Sequence, residues 1–205
     1  MNYIFKKGFT FLEVMVCITI VGLIAAVSMF SYSAFSDNIA LSSAGQEIAV
    51  EIRQAQIYGL SVKESTTGSG QFVSGYGIHV SLDDPSNYYI FVDQNNNNKY
   101  DGNTTCLAGG ECVEKMPLRN SVSITAICGA AFGGGLLVCP PNSSVRAMDV
   151  IFLRPDPDAN VRFVNSDGTL YSGGGTFQTG QITLTSTRGK TVNVIIQNTG
   201  QISVQ

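Results

Sequence analysis

The feature that most constrains this chain is an apolar run from Phe9 to Phe30, which one charged residue, Glu13, interrupts. At about 1.5 Å per residue, a helix over this run would be about 33 Å long, enough to cross the apolar core of a bilayer. Lys6 and Lys7 precede the run, and positive charge on that flank favours a cytoplasmic N-terminus. The run therefore predicts a single-pass anchor that places the remainder of the chain outside the plasma (inner) membrane.

Two simpler interpretations of the run are an ordinary secretory signal, cleaved near Ala25-Ala26, and an intact membrane anchor. Neither accounts for Glu13. An ionised residue in a spanning helix costs about 2.5 to 3.5 kcal/mol near the helix centre and less toward an end, and such residues usually have a function. The charge of Glu13 within the apolar run thus indicates that this segment does more than anchor the chain or direct its secretion.

The residues around Glu13 resemble the type IV prepilin family, and the matching stretch is Lys7-Gly8-Phe9-Thr10-Phe11-Leu12-Glu13 followed by the apolar run. The resemblance implies that a prepilin peptidase cuts on the cytoplasmic side, between Gly8 and Phe9. It also implies N-methylation of the new Phe9 amine. The apolar segment would stay on the mature protein, unlike that of a secretory signal.

The same resemblance implies a role for Glu13 in filament assembly. Its carboxylate would pair with the Phe9 ammonium of a neighbouring pilin or pseudopilin subunit. Pairing is physically reasonable, because two isolated charges in a medium of low dielectric are each costly and pairing relieves much of that cost. The partners implied are therefore the peptidase, the lipid bilayer and other pilin subunits.

Beyond Phe30 the pattern becomes amphipathic, with small and apolar residues at steps of three and four: Leu41, Ala44, Ile48, Ile52 and Ala55. This stripe predicts that the helix continues, from about Phe9 to about Val62. The predicted organisation is a leader over 1–8, a membrane helix over 9–30, an amphipathic continuation over 31–62 and a β-rich head over 63–205.

The head shows alternating and β-branched runs separated by glycine-rich loops. Many short strands without intervening helical patterns indicate an antiparallel sheet. The predicted fold class is α+β and pilin-like, with one long N-terminal helix packed on the sheet. The predicted strands contain Phe72 to Val80, Tyr88 to Val92, Val113 to Ile127, Met148 to Leu153, Val161 to Val164, Gln181 to Thr187, Thr191 to Gln197 and Gln201 to Val204.

The order of these elements, with Tyr76-Gly77 in an early strand and Thr199-Gly200 between the last two, resembles the GspH/FimT group of pseudopilins and minor pilins. That resemblance implies a structural subunit of a type II secretion pseudopilus or a type IV pilus. DNA-binding minor pilins are the alternative. They carry a Gly-Arg-x-Arg arrangement where this chain has Gly200, Gln201, Ile202 and Ser203, and the net charge is -3, so DNA is not an expected partner.

Four of the five cysteines, Cys106, Cys112, Cys128 and Cys139, fall in the β-rich half, whereas Cys17 lies in the apolar run. An even set in a domain outside the membrane favours disulfides. Zinc is the competing interpretation, but the spacings lack the short knuckle typical of zinc sites. Three pairings are possible, and we expect the local ones, Cys106 with Cys112 and Cys128 with Cys139.

An Asn-rich run from Asp93 to Gly102 places oxygen-bearing side chains as a calcium loop would. The candidate ligands are the side chains of Asp93, Asn95, Asn97 and Asp101, together with the Lys99 carbonyl. The match is incomplete, because Asn98 stands at the usual glycine position and Thr104 at the usual glutamate. Glu111 is the nearest later carboxylate that could reach back. The alternative is a solvated hairpin turn, for which Asp and Asn are common.

No grouping of residues in the sequence indicates catalysis. His79 is the only histidine, and no serine, cysteine or carboxylate pattern pairs with it. We therefore expect no catalytic residues and a protein that is not an enzyme.

Overall fold

The computed structural model describes residues 8–61, 75–102, 106, 110–119, 121–132, 137–139, 144–171 and 177–205, except for the side chains of residues 30–34. The chain divides into two compact units, Met1–Ile39 and Ala40–Gln205. A single α-helix, α1, covers Phe11–Leu60. The predicted helix is therefore confirmed to within two residues at each end, although Val62 lies outside the described residues.

Ten strands follow the helix in the described residues, and every pairing between them is antiparallel. They are β1 (Gly75–Ser81), β2 (Asn87–Asp93), β3 (Cys112–Pro117), β4 (Ser123–Ala131), β5 (Leu137–Val138), β6 (Val145–Leu153), β7 (Ala159–Asn165), β8 (Phe177–Thr185), β9 (Thr191–Gln197) and β10 (Ile202–Val204). The α+β, pilin-like arrangement expected from the sequence is confirmed.

The sheet is curled, and its main path has the strand order β10-β9-β8-β7-β6-β1-β2-β3. Strands β7 and β8 share one residue pair, Val161 with Phe177. Beyond that point β8 pairs along its length with β4 on one side and with β9 on the other.

The predicted helical stripe is the surface that the sheet buries. Leu41, Ala44, Ile48, Ile52 and Ala55 are all at most 3% exposed, and they belong to one apolar cluster with inward-facing strand residues. Burying a large aliphatic side chain stabilises a fold by about 1.5 to 3 kcal/mol relative to leaving it exposed. Apolar burial along this stripe is thus what fixes the helix on the sheet.

One strand prediction was wrong, and one short strand was missed. The segment Val113 to Ile127 is two strands, because Pro117 cannot donate a backbone hydrogen bond and Ser121 adopts a positive φ of 56° in the connection. The pair of residues forming β5 was not predicted at all, since two residues carry no periodic signal. The part of the predicted first strand around Phe72 lies outside the described residues.

Gly59 marks a close approach of α1 to the sheet. A Cβ atom at this position would lie 2.5 Å from the carbonyl oxygen of Phe152 and 2.9 Å from its Cβ. Neither atom belongs to the flexible end of a side chain, so the backbones would have to separate.

We expect Gly59→Ala to destabilise the folded protein by about 1 to 3 kcal/mol, the usual cost of overpacking. At an unconstrained helix position the same change stabilises by about 1 kcal/mol, so the sign itself is diagnostic. Denaturant unfolding of the purified chain measures the effect, with Ser43→Ala on the exposed helix face as the control. An unchanged or raised midpoint for Gly59→Ala would show that the packing is not this close.

Candidate functional site

The N-terminal segment starts its helix with a threonine cap. Gly8, Phe9 and Thr10 precede α1, and the backbone N–H of Glu13 donates to the Thr10 hydroxyl at 3.3 Å and to the Thr10 carbonyl at 3.1 Å. Threonine is a favourable residue at this position, because its oxygen satisfies a donor that the first helical turn leaves unpaired. The Gly8-Phe9 bond therefore lies outside the helix, where backbone is open to a peptidase.

Glu13 lies in the first turn of α1. A carboxylate there interacts favourably with the positive end of the helix dipole, by about 0.3 to 1 kcal/mol when exposed. Glu13 lies near the start of the segment Phe11–Met29, which has a mean hydropathy of 2.4 and contains no buried residue. By length and composition this helix can cross a membrane, and Cys17 within it is a free thiol.

The head contains two disulfides in the described residues, Cys106–Cys112 and Cys128–Cys139. They are the local pairs favoured from the sequence. The first joins the end of the Asn-rich segment to the start of β3, and the second joins β4 to the residue after β5. Each bond limits the freedom of a loop in the unfolded chain, which stabilises the fold.

The Asn-rich loop is organised around the buried carboxylate of Asp93. Asp93 is 0% exposed, and its two oxygens accept the backbone N–H groups of Asn97 and Asn98 at 3.1 and 2.8 Å. Asn98, at the usual glycine position of a calcium loop, adopts a φ of 58°. Asparagine tolerates this conformation better than most residues, so the missing glycine does not prevent the turn.

Asp101 is the second carboxylate of the loop and is already paired. Its Oδ1 lies 2.7 Å from the Lys99 ammonium, and its Oδ2 accepts the side-chain amides of Asn95 and Asn97 at 2.8 and 2.5 Å. Burial alone would raise the pKa of Asp101, but the hydrogen bonds from Lys99, Asn95 and Asn97 outweigh it and hold that pKa below its usual value. The Lys99 ammonium thus neutralises charge that a calcium ion would otherwise neutralise.

Glu111 reaches back over the loop, as the sequence allowed. Its carboxylate accepts the backbone N–H of Asp101 at 2.7 Å and that of Gln94 at 3.3 Å, and the residue is 6% exposed. Burial raises the pKa of Glu111, and the nearby charges of Asp101 and Asp93 add to that rise, against the lowering effect of the two N–H donors. Cys112, the residue after Glu111, is fixed by its disulfide with Cys106, which helps to place the Glu111 carboxylate.

Calcium binding at this loop stays a prediction. The structure brings Asp93, Asp101 and Glu111 to one loop, which supplies the carboxylate that Thr104 could not. However, no cluster of three or more histidine, cysteine or acidic side chains with metal-binding geometry occurs in the described residues. Calcium would have to displace Lys99 from Asp101 and turn the Asn95 and Asn97 oxygens inward.

His79, predicted only as a strand residue, belongs to a row of side chains across the outer face of four strands. In the register of the sheet, Tyr89, His79, Asp149 and Arg162 lie side by side on β2, β1, β6 and β7. His79 Nδ1 lies 2.6 Å from Asp149 Oδ1, and Asp149 is 0% exposed. Asp149 Oδ2 also accepts the backbone N–H of Tyr100 at 3.1 Å, so this buried carboxylate ties the loop to the sheet.

Sequence reasoning missed Asp149 and Tyr100. Asp149 could have been noticed as the one charged residue between Ala147 and Leu153 of an otherwise apolar strand, since a buried charge requires a partner. Tyr100 carries no comparable signal. It packs on Phe91, Tyr89 and His79, with ring centroids 4.6 to 5.7 Å away, and closes a small second core beneath the loop.

Comparison with known proteins gives one match. The family model of the prokaryotic N-terminal methylation motif matches residues 5–29. This match supports a type IV prepilin-like protein and includes Gly8, Phe9 and Glu13. No curated protein and no solved structure matches the chain.

The raised pKa of Glu111 predicts a pH-dependent effect of Glu111→Gln. A carboxyl group whose pKa is raised in the folded state stabilises the fold below its ordinary pKa of 4.5, and that contribution is lost as the pH rises through the raised value. Glutamine does not titrate. The stability of Glu111→Gln relative to the natural chain should therefore increase from about pH 4 to pH 7.

The denaturant midpoints of Glu111→Gln and of the natural chain are measured at a series of pH values. Taking the difference between the two midpoints cancels the titration of groups that the two chains share. Glu114→Gln, at an exposed residue of β3, is the matched control. A difference between Glu111→Gln and the natural chain that does not change with pH would contradict the assignment.

If the loop binds calcium, the ion should raise the unfolding midpoint at millimolar concentration, because a ligand that binds only the folded state stabilises it. Asp93→Asn should abolish this rise, whereas Asp156→Asn, at an exposed residue outside the loop, should keep it. Unfolding of each chain with calcium and with a chelator provides the measurement. Equal midpoints for the natural chain in both solutions would establish a turn without a metal.

Proposed function

We propose that this protein is a minor pilin or pseudopilin, a structural subunit of a type IV pilus or a type II secretion pseudopilus. The observation that carries the proposal is the methylation motif at residues 5–29 on a helix whose apolar surface is exposed from Phe11 to Met29. A prepilin peptidase cleaves after Gly8 and methylates Phe9. The subunit then waits in the plasma membrane until it enters a filament.

The orientation proposed is a cytoplasmic N-terminus and a head on the opposite side. Lys6 and Lys7 support it, since positive residues next to a spanning segment favour the cytoplasmic side. The two disulfides of the head also support it, because disulfides persist in oxidising compartments. An H-type or FimT-like subunit is the finer proposal, supported by the long helix, the antiparallel head and the terminal β9–β10 pair around Gly200.

Glu13 is proposed as the assembly contact. Cleavage after Gly8 would place a cationic amine on Phe9, one helical turn from Glu13, at the end of the helix where a positive charge is least favourable. Within one subunit the Glu13 carboxylate offsets this charge only in part. In the filament, the carboxylate of one subunit pairs with the amine of its neighbour, so that neither charge stays unpaired among apolar side chains.

DNA capture by the head is the alternative that the resemblance to minor pilins raised. The turn between β9 and β10 contains Gly200, with a φ of 80°, followed by Gln201 and Ser203, so the described turn presents no cation. No observation on the described residues favours this alternative. The motif match likewise favours a structural protein over an enzyme.

We expect Glu13→Gln to leave membrane insertion and cleavage unchanged and to reduce incorporation into sheared filaments by at least about tenfold. Removing one partner of a buried ion pair costs about 3 to 5 kcal/mol, and about 1.4 kcal/mol already corresponds to a factor of ten. Immunoblots of membrane and filament fractions measure the ratio. Glu47→Gln, in the part of α1 that belongs to the head unit, is the matched control, and normal incorporation of Glu13→Gln would contradict the proposed role.

A further inference from the structure

The outer face of the sheet contains a cavity of about 400 Å³ that filament assembly through α1 does not use. Buried or half-buried rings of His79, Tyr89 and Tyr100 contribute to its lining, together with the more exposed polar residues Asp83 and Arg146. Its volume lies toward the small end of ligand pockets, which measure about 300 to 1,000 Å³. The whole lining belongs to the head unit.

The ring of His79 is held in one orientation at this cavity. Its Nδ1 is bonded to the buried Asp149, whose other oxygen accepts the Tyr100 N–H, and its ring packs 4.6 Å from that of Tyr100. Within the described part of the chain, Nε2 has no hydrogen-bond partner. A buried histidine–carboxylate pair is a costly way to fill a sheet face that apolar residues could fill. The bond to Asp149 fixes the ring of His79 at the wall of the cavity.

The exposed residues at the rim of the cavity provide hydrogen-bond donors and acceptors that are not used within the fold. Neither the Arg146 guanidinium nor the Asp83 carboxylate has a side-chain partner among the described residues, and the Ser166 hydroxyl is equally available. Asp84 also lines the cavity, but its carboxylate is bound by Tyr89, Asn87 and Lys115. Burial alone would raise the pKa of Asp84, but these three hydrogen bonds outweigh it and hold that pKa below its usual value.

We propose that this cavity binds a neutral carbohydrate, as one or two sugar rings. A sugar hydroxyl both donates and accepts hydrogen bonds, which suits a rim where Asp83 accepts, Arg146 donates and Ser166 does both. The floor of the cavity, which Tyr100 and His79 help to line, is partly apolar and can contact the C–H groups of a sugar ring. The opposite charges of the rim disfavour a ligand with a large net charge, and its polarity disfavours a purely apolar one.

The proposal concerns recognition by the head and is independent of the assembly function. Binding is tested on the full-length chain in a detergent without sugar groups, so that the detergent cannot compete. An array of neutral and charged glycans identifies the class bound. Saturation-transfer NMR with methyl glucoside, methyl galactoside and N-acetylglucosamine then measures affinity and separates recognition of a single sugar from recognition of a polymer.

We expect at least one neutral sugar to bind, and Arg146→Gln and Asp83→Asn each to weaken that binding at least about tenfold, a loss of about 1.4 kcal/mol. The matched controls are Arg188→Gln and Asp156→Asn, which change the same residue types outside the cavity. Both rim residues are exposed, so the variants should fold normally, and circular dichroism verifies this.

Failure of the natural chain to bind any neutral sugar would overturn the proposal. The same conclusion follows if rim and control variants weaken binding equally, or if the chain binds only charged glycans. Phenylalanine is included as a zwitterionic probe, because Asp83 and Arg146 could also hold an ammonium and a carboxylate. Binding of phenylalanine without any neutral sugar would likewise reject the carbohydrate assignment.

Discussion

Apolar surface that must leave water is the constraint on which the rest of this structure depends. The helix α1 carries two such surfaces. The stripe from Leu41 to Ala55 is buried by the sheet, whereas no residue of the segment Phe11–Met29 is buried. A fold can leave so much apolar surface uncovered only if a bilayer or other protein chains cover it. The methylation motif that matches residues 5–29 supports a membrane anchor at this segment.

The head also has apolar surface on the outer face of its sheet that must be covered. The inner face packs on α1, and the outer face of β1, β2 and β6 would expose aromatic residues if nothing covered it. The Asn-rich loop covers part of this face by placing Tyr100 on Phe91, Tyr89 and His79. Its own polar backbone is satisfied by three carboxylates, those of Asp93, Glu111 and Asp149. The loop is therefore an integral part of the folded head.

The helix and most strands could be predicted because their signals are local and periodic. The stripe at Leu41, Ile48 and Ile52 repeats at helical spacing, and β9 was predicted with the boundaries Thr191–Gln197 that it has in the structure. The contacts of Asp149 with His79 and Tyr100 on the outer face could not be predicted, because they join distant segments. Asp149 meets His79 seventy residues away in sequence and Tyr100 forty-nine residues away, and no periodic pattern records such a meeting.

The N-terminal residues were interpreted from a short motif whose chemistry is specific. Roles could be proposed for Gly8, Phe9 and Glu13 because a charge within an apolar run usually has a function, and the family model of the methylation motif covers these three residues. Glu111 is intermediate between these cases. Its reach toward the loop was allowed by the sequence, but its burial depends on how the segment between Cys106 and Cys112 folds.

The most direct test of the central claim is the mass of the N-terminal peptide after co-expression with a prepilin peptidase. The account predicts a chain that begins at Phe9 with one methyl group on its amine and keeps the whole apolar segment. A chain that begins at Met1 or after Ala26 would contradict it, because the segment would then be a plain anchor or an ordinary secretory signal.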